Sequence, residues 1–310
     1  MSAPSLAPRP TGRRAYVHTG ISVLVLLIGA VLAVRHRQVL DNGTDHLAVA
    51  DRGWLLLAVT AACATWVCAA LTQQGAVAAP LPRARLLAAQ FSASAANHLM
   101  PAGIGASTVN WRFLSRCGLT PTATATALAL KATAGTVTRV VLIGGLLAAG
   151  PGLVRLPHLP AATALLALLP GVLLLPPLRR RIGPVVRGAV AEIRTVHALP
   201  GRASALWGGS IAFAASHALT VYAVAHALEL PLPAAKVALA YLAASSAAVL
   251  LPTPGGLGSL DAALTFALVG VGAPGSMAVS IVLGYRLLTT WLPLVPGLLV
   301  LAVLARRRVV

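Results

Sequence analysis

Four charged side chains sit inside long apolar stretches of this sequence: Lys131, Arg139, Asp261 and Arg286. A charge at mid-bilayer depth costs about 2.5 to 3.5 kcal/mol on insertion scales, so such residues face a cavity or pair with one another. Three are positive and one is negative, and that surplus suits an anionic ligand, such as a lipid phosphate, better than a cation. Arg286 lies about ten residues into its apolar stretch, roughly 15 Å deep and too far to snorkel. It is the natural counter-ion for Asp261. Of the other two cations, Lys131 is the better cavity candidate, because Arg139 is nearer the end of its stretch and can reach outward. Asn97, His98 and His217 add polar groups. Asn97 and His98 directly precede a helix break whose carbonyls they could bond, and His217 stands alone in a span as a packing group.

The breaks are the second feature. Pro-x-Gly-x-Gly occurs twice, as Pro101-Ala102-Gly103-Ile104-Gly105 and Pro254-Gly255-Gly256-Leu257-Gly258, each inside an apolar stretch. Proline and glycine interrupt helices. At membrane depth unwound backbone survives only where protein or a wet cavity satisfies its amides, and paired interruptions in two halves of a chain point to a binding site. Exposed glycine amides could also meet a phosphate. After the second break, Ser259 is a candidate N-cap with Asp261 in the first helical turn, where its charge favours the helix dipole.

These elements lie in a membrane protein. Of 310 residues 58% are hydrophobic and only 10% charged, against about 25% charged for a soluble domain. Stretches long enough to cross roughly 30 Å of hydrocarbon occur at Ala15–Val34, Trp54–Val77, Thr122–Ala149, Leu159–Leu178, Ala205–Leu228 and Ser276–Ala305. Leu86–Asn110 and Val237–Gly272 hold the two breaks, and neither half of either comfortably spans alone.

The net charge of +18 is chiefly a topology signal. The basic residues fall between apolar stretches without aromatic interleaving, which argues against nucleic acid. If both broken regions return to the side they enter from, sixteen basic residues lie on the cytoplasmic side and five outside, as the positive-inside rule demands. Full crossing of Leu86–Asn110 would place the cluster Arg179, Arg180, Arg181, Arg187, Arg194 and Arg202 outside. Tyr16, Trp111 and Trp207 then fall near the inner interface and Trp54 near the outer one. The sequence therefore predicts an all-α polytopic membrane protein with about six full transmembrane helices and two oppositely oriented re-entrant helical hairpins, arranged like inverted repeats. Residues 1–14 form a disordered cytoplasmic tail, 15–305 a single membrane domain with halves at about 54–149 and 205–305, and 306–310 a basic cytoplasmic tail.

Enzyme constellations are missing from the sequence: there is no metal-spaced His/Cys/Asp cluster, Walker loop or GxSxG elbow. Cys63, Cys68 and Cys117 show no CxxC spacing and read as packing residues. No catalytic residue, metal or cofactor is expected. Arginine outnumbers lysine 22 to 2, which fits a bacterial chain and hence the cytoplasmic membrane.

Two stretches carry a resemblance. Asn97-His98-Leu99-Met100-Pro101-Ala102-Gly103-Ile104-Gly105, with Arg112 and Arg116-Cys117-Gly118-Leu119, resembles the first half of the lysylphosphatidylglycerol synthase transmembrane-region family. Leu251 to Leu264 through Pro254, Gly256, Gly258 and Asp261, followed by Tyr285-Arg286-Leu287-Leu288 and Trp291-Leu292-Pro293, is similar to its second signature. The resemblance implies a region that flips aminoacylated phosphatidylglycerol between leaflets. Lipid aminoacylation in that family belongs to a separate soluble domain, and this chain reads as a stand-alone member. Asp261 stands where the family pattern usually has Glu, and Lys131-Ala132 where a Glu-Arg pair is expected. The expected function is a membrane lipid translocase for an anionic or lipid-linked substrate. Its expected substrate path is Asn97, His98, Pro101, Gly103, Gly105, Lys131, Pro254, Gly256, Gly258, Asp261 and Arg286. The alternatives are a secondary transporter of a small anion, or a membrane partner or scaffold of a separate lipid-modifying enzyme. The expected partners are anionic membrane lipids, such an enzyme, and a second copy of the chain.

Overall fold

The computed structural model describes residues 50–100, 104–149, 193–249, 258–307 and 309–310. The stretches expected to span at Ala15–Val34 and Leu159–Leu178 lie outside them, as do Pro101, Gly103, Pro254 and Gly256. The described residues are helical throughout their ordered elements. These are α1 (Arg52–Gly75), α2 (Arg83–Leu99), α3 (Ile104–Arg116), α4 (Pro121–Ala149), α5 (Pro200–Ala227), α6 (Ala234–Ala248), α7 (Ser259–Gly270), α8 (Gly275–Arg286), a π-helical turn (Leu287–Trp291) and α9 (Leu292–Arg306).

Among the described residues, four helical stretches are long and apolar enough to cross a membrane: α1, α4, α5 and the continuous run from α8 through α9. Each matches an expected span to within about five residues at either end. Local chemistry fixes the starts. The Asp51 carboxylate accepts the Trp54 N–H at 2.9 Å and caps α1, Pro200 fills the first position of α5, and prolines directly precede α6 and α8. Pro293 and Pro296 shape the last run. Neither can donate to the preceding turn, and the chain answers with a widened turn in which Leu292 N–H bonds the Leu287 carbonyl.

The most extensive packing is between α1 and α5, which run antiparallel along their whole lengths. Asp51 N–H bonds Ala227 O at 2.9 Å at one end, Cys68 meets Ser216 in the middle, and Gly75 abuts the Leu206 backbone at the other. A Cβ on Gly209 would sit 2.7 Å from Thr72 Oγ1 and 2.8 Å from Thr72 N. Small residues therefore let the two backbones approach, which is how helices associate where lipid removes the hydrophobic driving force.

Helices α2 and α3 also run antiparallel, since Gln90 pairs with Asn110 and Gly105 abuts Ala96. Gly105 is glycine for that reason: a Cβ there would overlap the Ala96 carbonyl. Helix α9 lies along α2, with Gly297 against Ala95. Helices α6 and α7 pack on each other, α6 on α5 and α4, and α7 on α8.

Two apolar clusters hold opposite ends. One gathers Ala76, Val77, Leu81, Leu86, Phe113, Leu114, Val196, Leu206 and Leu304. It joins the end of α1, the start of α2, the end of α3, the start of α5 and the end of α9. Those same termini carry Arg83, Arg85, Arg112, Arg116, Arg194, Arg202, Arg306 and Arg307. The other cluster joins Trp54, Tyr222, Leu228, Leu232, Val237, Leu268, Val271, Ala273 and Ala278, at the end that holds Asp51 and Glu229. Trp54 stacks on His226 there, ring centroids 4.6 Å apart.

Candidate functional site

Between α1, α2, α3, α4 and α5 lies a cavity of about 390 Å³, within the range of small-molecule sites. Its cationic wall is one face of α4, where Leu128, Lys131, Ala132, Gly135 and Arg139 line it at helical spacing. Lys131 and Arg139 are two turns apart, about 12 Å along the axis, and Gly135 between them leaves the wall open. The other walls set polar side chains, Thr65 and Thr72 from α1, Gln90, Ser94 and Asn97 from α2, Ser107 and Asn110 from α3, and Ser210 from α5, among apolar ones such as Trp66, Ala93 and Phe213.

A hydrogen-bonded chain sets the floor. Lys131 Nζ donates to Gln90 Oε1 at 2.8 Å, Gln90 Nε2 donates to Asn110 Oδ1 at 2.6 Å, and Asn110 Nδ2 donates to Ala106 O at 2.9 Å. The chain of amides fixes the lysine and ties α2, α3 and α4 together. It leaves the ammonium charge without an acid, for the sole ion pair among the described residues is elsewhere. Arg139 Nε and Asn97 Oδ1 are buried with no hydrogen-bond partner among the described residues. Both belong to side chains that line the cavity, so donors and an acceptor stand ready there for a polar guest.

That sole pair joins α7 to the end of α8. Arg286, 4% exposed, donates from Nε to Asp261 Oδ1, and Asp261 is 31% exposed. Arg286 also reaches Thr290 Oγ1 in the π-helical turn at 3.4 Å. The second carboxylate oxygen of Asp261 accepts the Gly258 N–H at 2.9 Å. Gly258, not Ser259, is therefore the N-cap of α7. Its φ of +85° is open to glycine at little cost, and Asp261 at the third helical position reaches back to its amide. The last glycine of the second break is thus locked to the ion pair, and its N–H is occupied.

His217 on α5 stands between the two groups. Tyr285, next to Arg286, shares a 2.9 Å hydrogen bond with His217 Nδ1. Tyr241 of α6 stacks on the same ring at 5.6 Å, and Phe213 of the cavity wall meets it edge-on at 4.7 Å. An aromatic and imidazole cluster therefore bridges the cavity and the ion pair.

Of the residues singled out in the sequence, Asn97 and Lys131 line the cavity. Asp261, Gly258 and Arg286 form the separate paired group. Gly105 serves close helix packing, and His98 is half-buried in the last turn of α2. Asn97 lines the cavity, and the carbonyls of the break that it was expected to bond lie outside the described residues. Arg139 contributes to the cavity wall instead of reaching away from it. Gln90, Asn110, Ser107 and the π-helical turn were not singled out. Uncharged amides and hydroxyls are common in such stretches, and only the antiparallel packing of α2 on α3 brings residues 90 and 110 together.

No curated protein matches the sequence. The family described as the lysylphosphatidylglycerol synthase TM region matches residues 18–297, a range that includes both breaks, the cavity and the ion pair. The chain therefore belongs to the lysylphosphatidylglycerol synthase transmembrane-region family.

Proposed function

We propose that this chain is a membrane lipid translocase that moves an anionic or lipid-linked headgroup between leaflets, and is not itself an enzyme. The observation that carries the reading is the cavity beside the first break, which presents Lys131 and Arg139 with no acid among its described lining residues. Family membership supports the lipid character of the cargo.

In this reading α2–α3 and α6–α7 are re-entrant hairpins that enter from opposite faces of the bacterial cytoplasmic membrane. Support comes from where their outer ends sit. Arg83 and Arg116 close the first pair at the arginine-rich end, whereas α6 begins and α7 ends in the cluster beside Asp51. The packing also repeats. Helix α4 lies on α5 and α6 as the π-helical turn and α9 lie on α1 and α2, the relation expected of inverted repeats. Both termini then face the cytoplasm. In the same reading the cavity and the ion pair lie at middle depth, where transporter sites form.

Rocking of one half against the other would expose the cavity to each leaflet in turn, with the headgroup carried by Lys131 and Arg139 and the acyl chains left in the bilayer. The His217 cluster and the Asp261–Arg286 pair would couple the halves. The test is purified protein in liposomes with a fluorescent phosphatidylglycerol and an impermeant quencher. Quenching of the inner-leaflet pool above that of empty liposomes supports translocation. Rates equal to empty liposomes across several anionic lipids overturn it, and uptake of a soluble anion without lipid movement would establish the small-anion alternative.

A further inference from the structure

The cavity also carries information about which headgroup it accepts. Its charged lining residues are Lys131 and Arg139, and no carboxylate among the described residues lines it. The acid of the Asp261–Arg286 pair is committed at both oxygens, one to the guanidinium and one to the Gly258 amide. An ammonium group entering the cavity would therefore meet two cations and no anion among the described residues. The rest of the polar lining is mainly hydroxyl and carboxamide, Thr65, Ser94, Ser107, Ser210, Asn97 and Asn110 among them. Such groups both donate and accept, which suits alcohols. Asn97 Oδ1 and Arg139 Nε, an acceptor and a donor without hydrogen-bond partners among the described residues, repeat that division, one for a hydroxyl and one for a phosphate oxygen.

Resting on the translocase reading, we propose that the cavity selects a phosphodiester headgroup that bears hydroxyls and lacks an ammonium, and rejects zwitterionic and cationic headgroups. Lys131 and Arg139 take the phosphate from one face of α4, and the α1, α2 and α3 walls take the hydroxyls. Selection arises from a missing counter-charge as much as from a good contact, because a buried ammonium without an acid is penalised and not merely unrewarded.

Lipid retention by the detergent-purified protein in native mass spectrometry tests this. The three probes have matched acyl chains: phosphatidylglycerol, phosphatidylethanolamine and an aminoacylated phosphatidylglycerol. Phosphatidylglycerol is expected to bind at least tenfold tighter than the other two. Lys131→Gln should remove most of that difference and Lys131→Arg should keep it. Ser107→Asp, which adds the absent acid at the cavity wall, should shift preference toward the ammonium-bearing lipids by about tenfold. Thermal unfolding of each variant shows whether it is folded, and Ser107→Asp leaves the buried lysine chain untouched should Lys131→Gln fail to fold. Equal retention of all three lipids by the native protein, or tighter retention of an ammonium-bearing one, overturns the proposal. Either outcome is compatible with translocation in liposomes, so it would leave the translocase reading standing.

Discussion

Removing the carboxylate of Asp261 should destabilise the protein far more than removing both partners of its ion pair. In Asp261→Ala, Arg286 keeps its charge at 4% exposure and loses its Asp261 partner, and the Gly258 amide loses its acceptor. Breaking a buried pair costs about 3 to 5 kcal/mol, mostly through the stranded charge. Asp261 is 31% exposed, so water can partly replace it and the lower figure, about 3 kcal/mol, applies. Losing the cap adds about 1 kcal/mol. At about 2 to 4 °C per kcal/mol for chains of some 200 residues, the expected fall in apparent melting temperature is on the order of 10 °C. The double variant Asp261→Ala with Arg286→Met strands no charge and should recover more than half of that loss. Tryptophan fluorescence on heating in detergent follows all four proteins of the cycle. A double variant as destabilised as the two single variants added together would mean that the residues are not coupled, and would refute the argument that the pair locks α7 to α8.

The two breaks should respond differently to loss of their last glycine. Gly105→Val, whose side chain would overlap the Ala96 carbonyl, should prevent assembly of α2 on α3 and abolish monodisperse behaviour in size-exclusion chromatography, whereas Gly144→Val, with open space around it, should not. Gly258→Ala forces an L side chain to φ +85° and should cost about 1 to 2 kcal/mol, read as a few degrees in the same melting assay. The antiparallel register of α1 on α5 predicts that Ser216→Cys, with Cys63 and Cys117 replaced by alanine, forms a disulfide to Cys68 under mild oxidant, because Cys68 Sγ and Ser216 Oγ are 3.9 Å apart; mass spectrometry of the digest detects it. Tyr285→Phe removes the 2.9 Å bond to His217 and, if that cluster couples the halves, should slow lipid translocation severalfold in liposomes while shifting melting by only about 1 kcal/mol.

What the sequence made legible was what membranes make expensive. Charges, helix breakers and uninterrupted apolar length have large costs in hydrocarbon, so the bounds of α1, α4, α5 and the α8 to α9 run, the interruptions, and the Asp261–Arg286 pair could be anticipated from residue type alone. Groups with small costs were invisible. Gln90 and Asn110 become a lysine-holding chain only because α3 runs back along α2. Arg139 read as a snorkelling side chain because distance from a helix end says nothing of which face it occupies. Gly105 and Gly258 share a motif position yet serve different ends, one close packing and the other a positive φ. The π-helical turn follows from Pro293 and Pro296, whose presence was visible but whose effect depends on how the neighbouring turns redistribute their carbonyls.

The most direct test of the central claim is an electron cryo-microscopy map of the protein in nanodiscs containing phosphatidylglycerol. The account predicts headgroup density inside the cavity, with phosphate between Lys131 and Arg139 and acyl chains leading out to the bilayer. Lipid density confined to the outer belt, with the cavity closed by its own side chains, would contradict it.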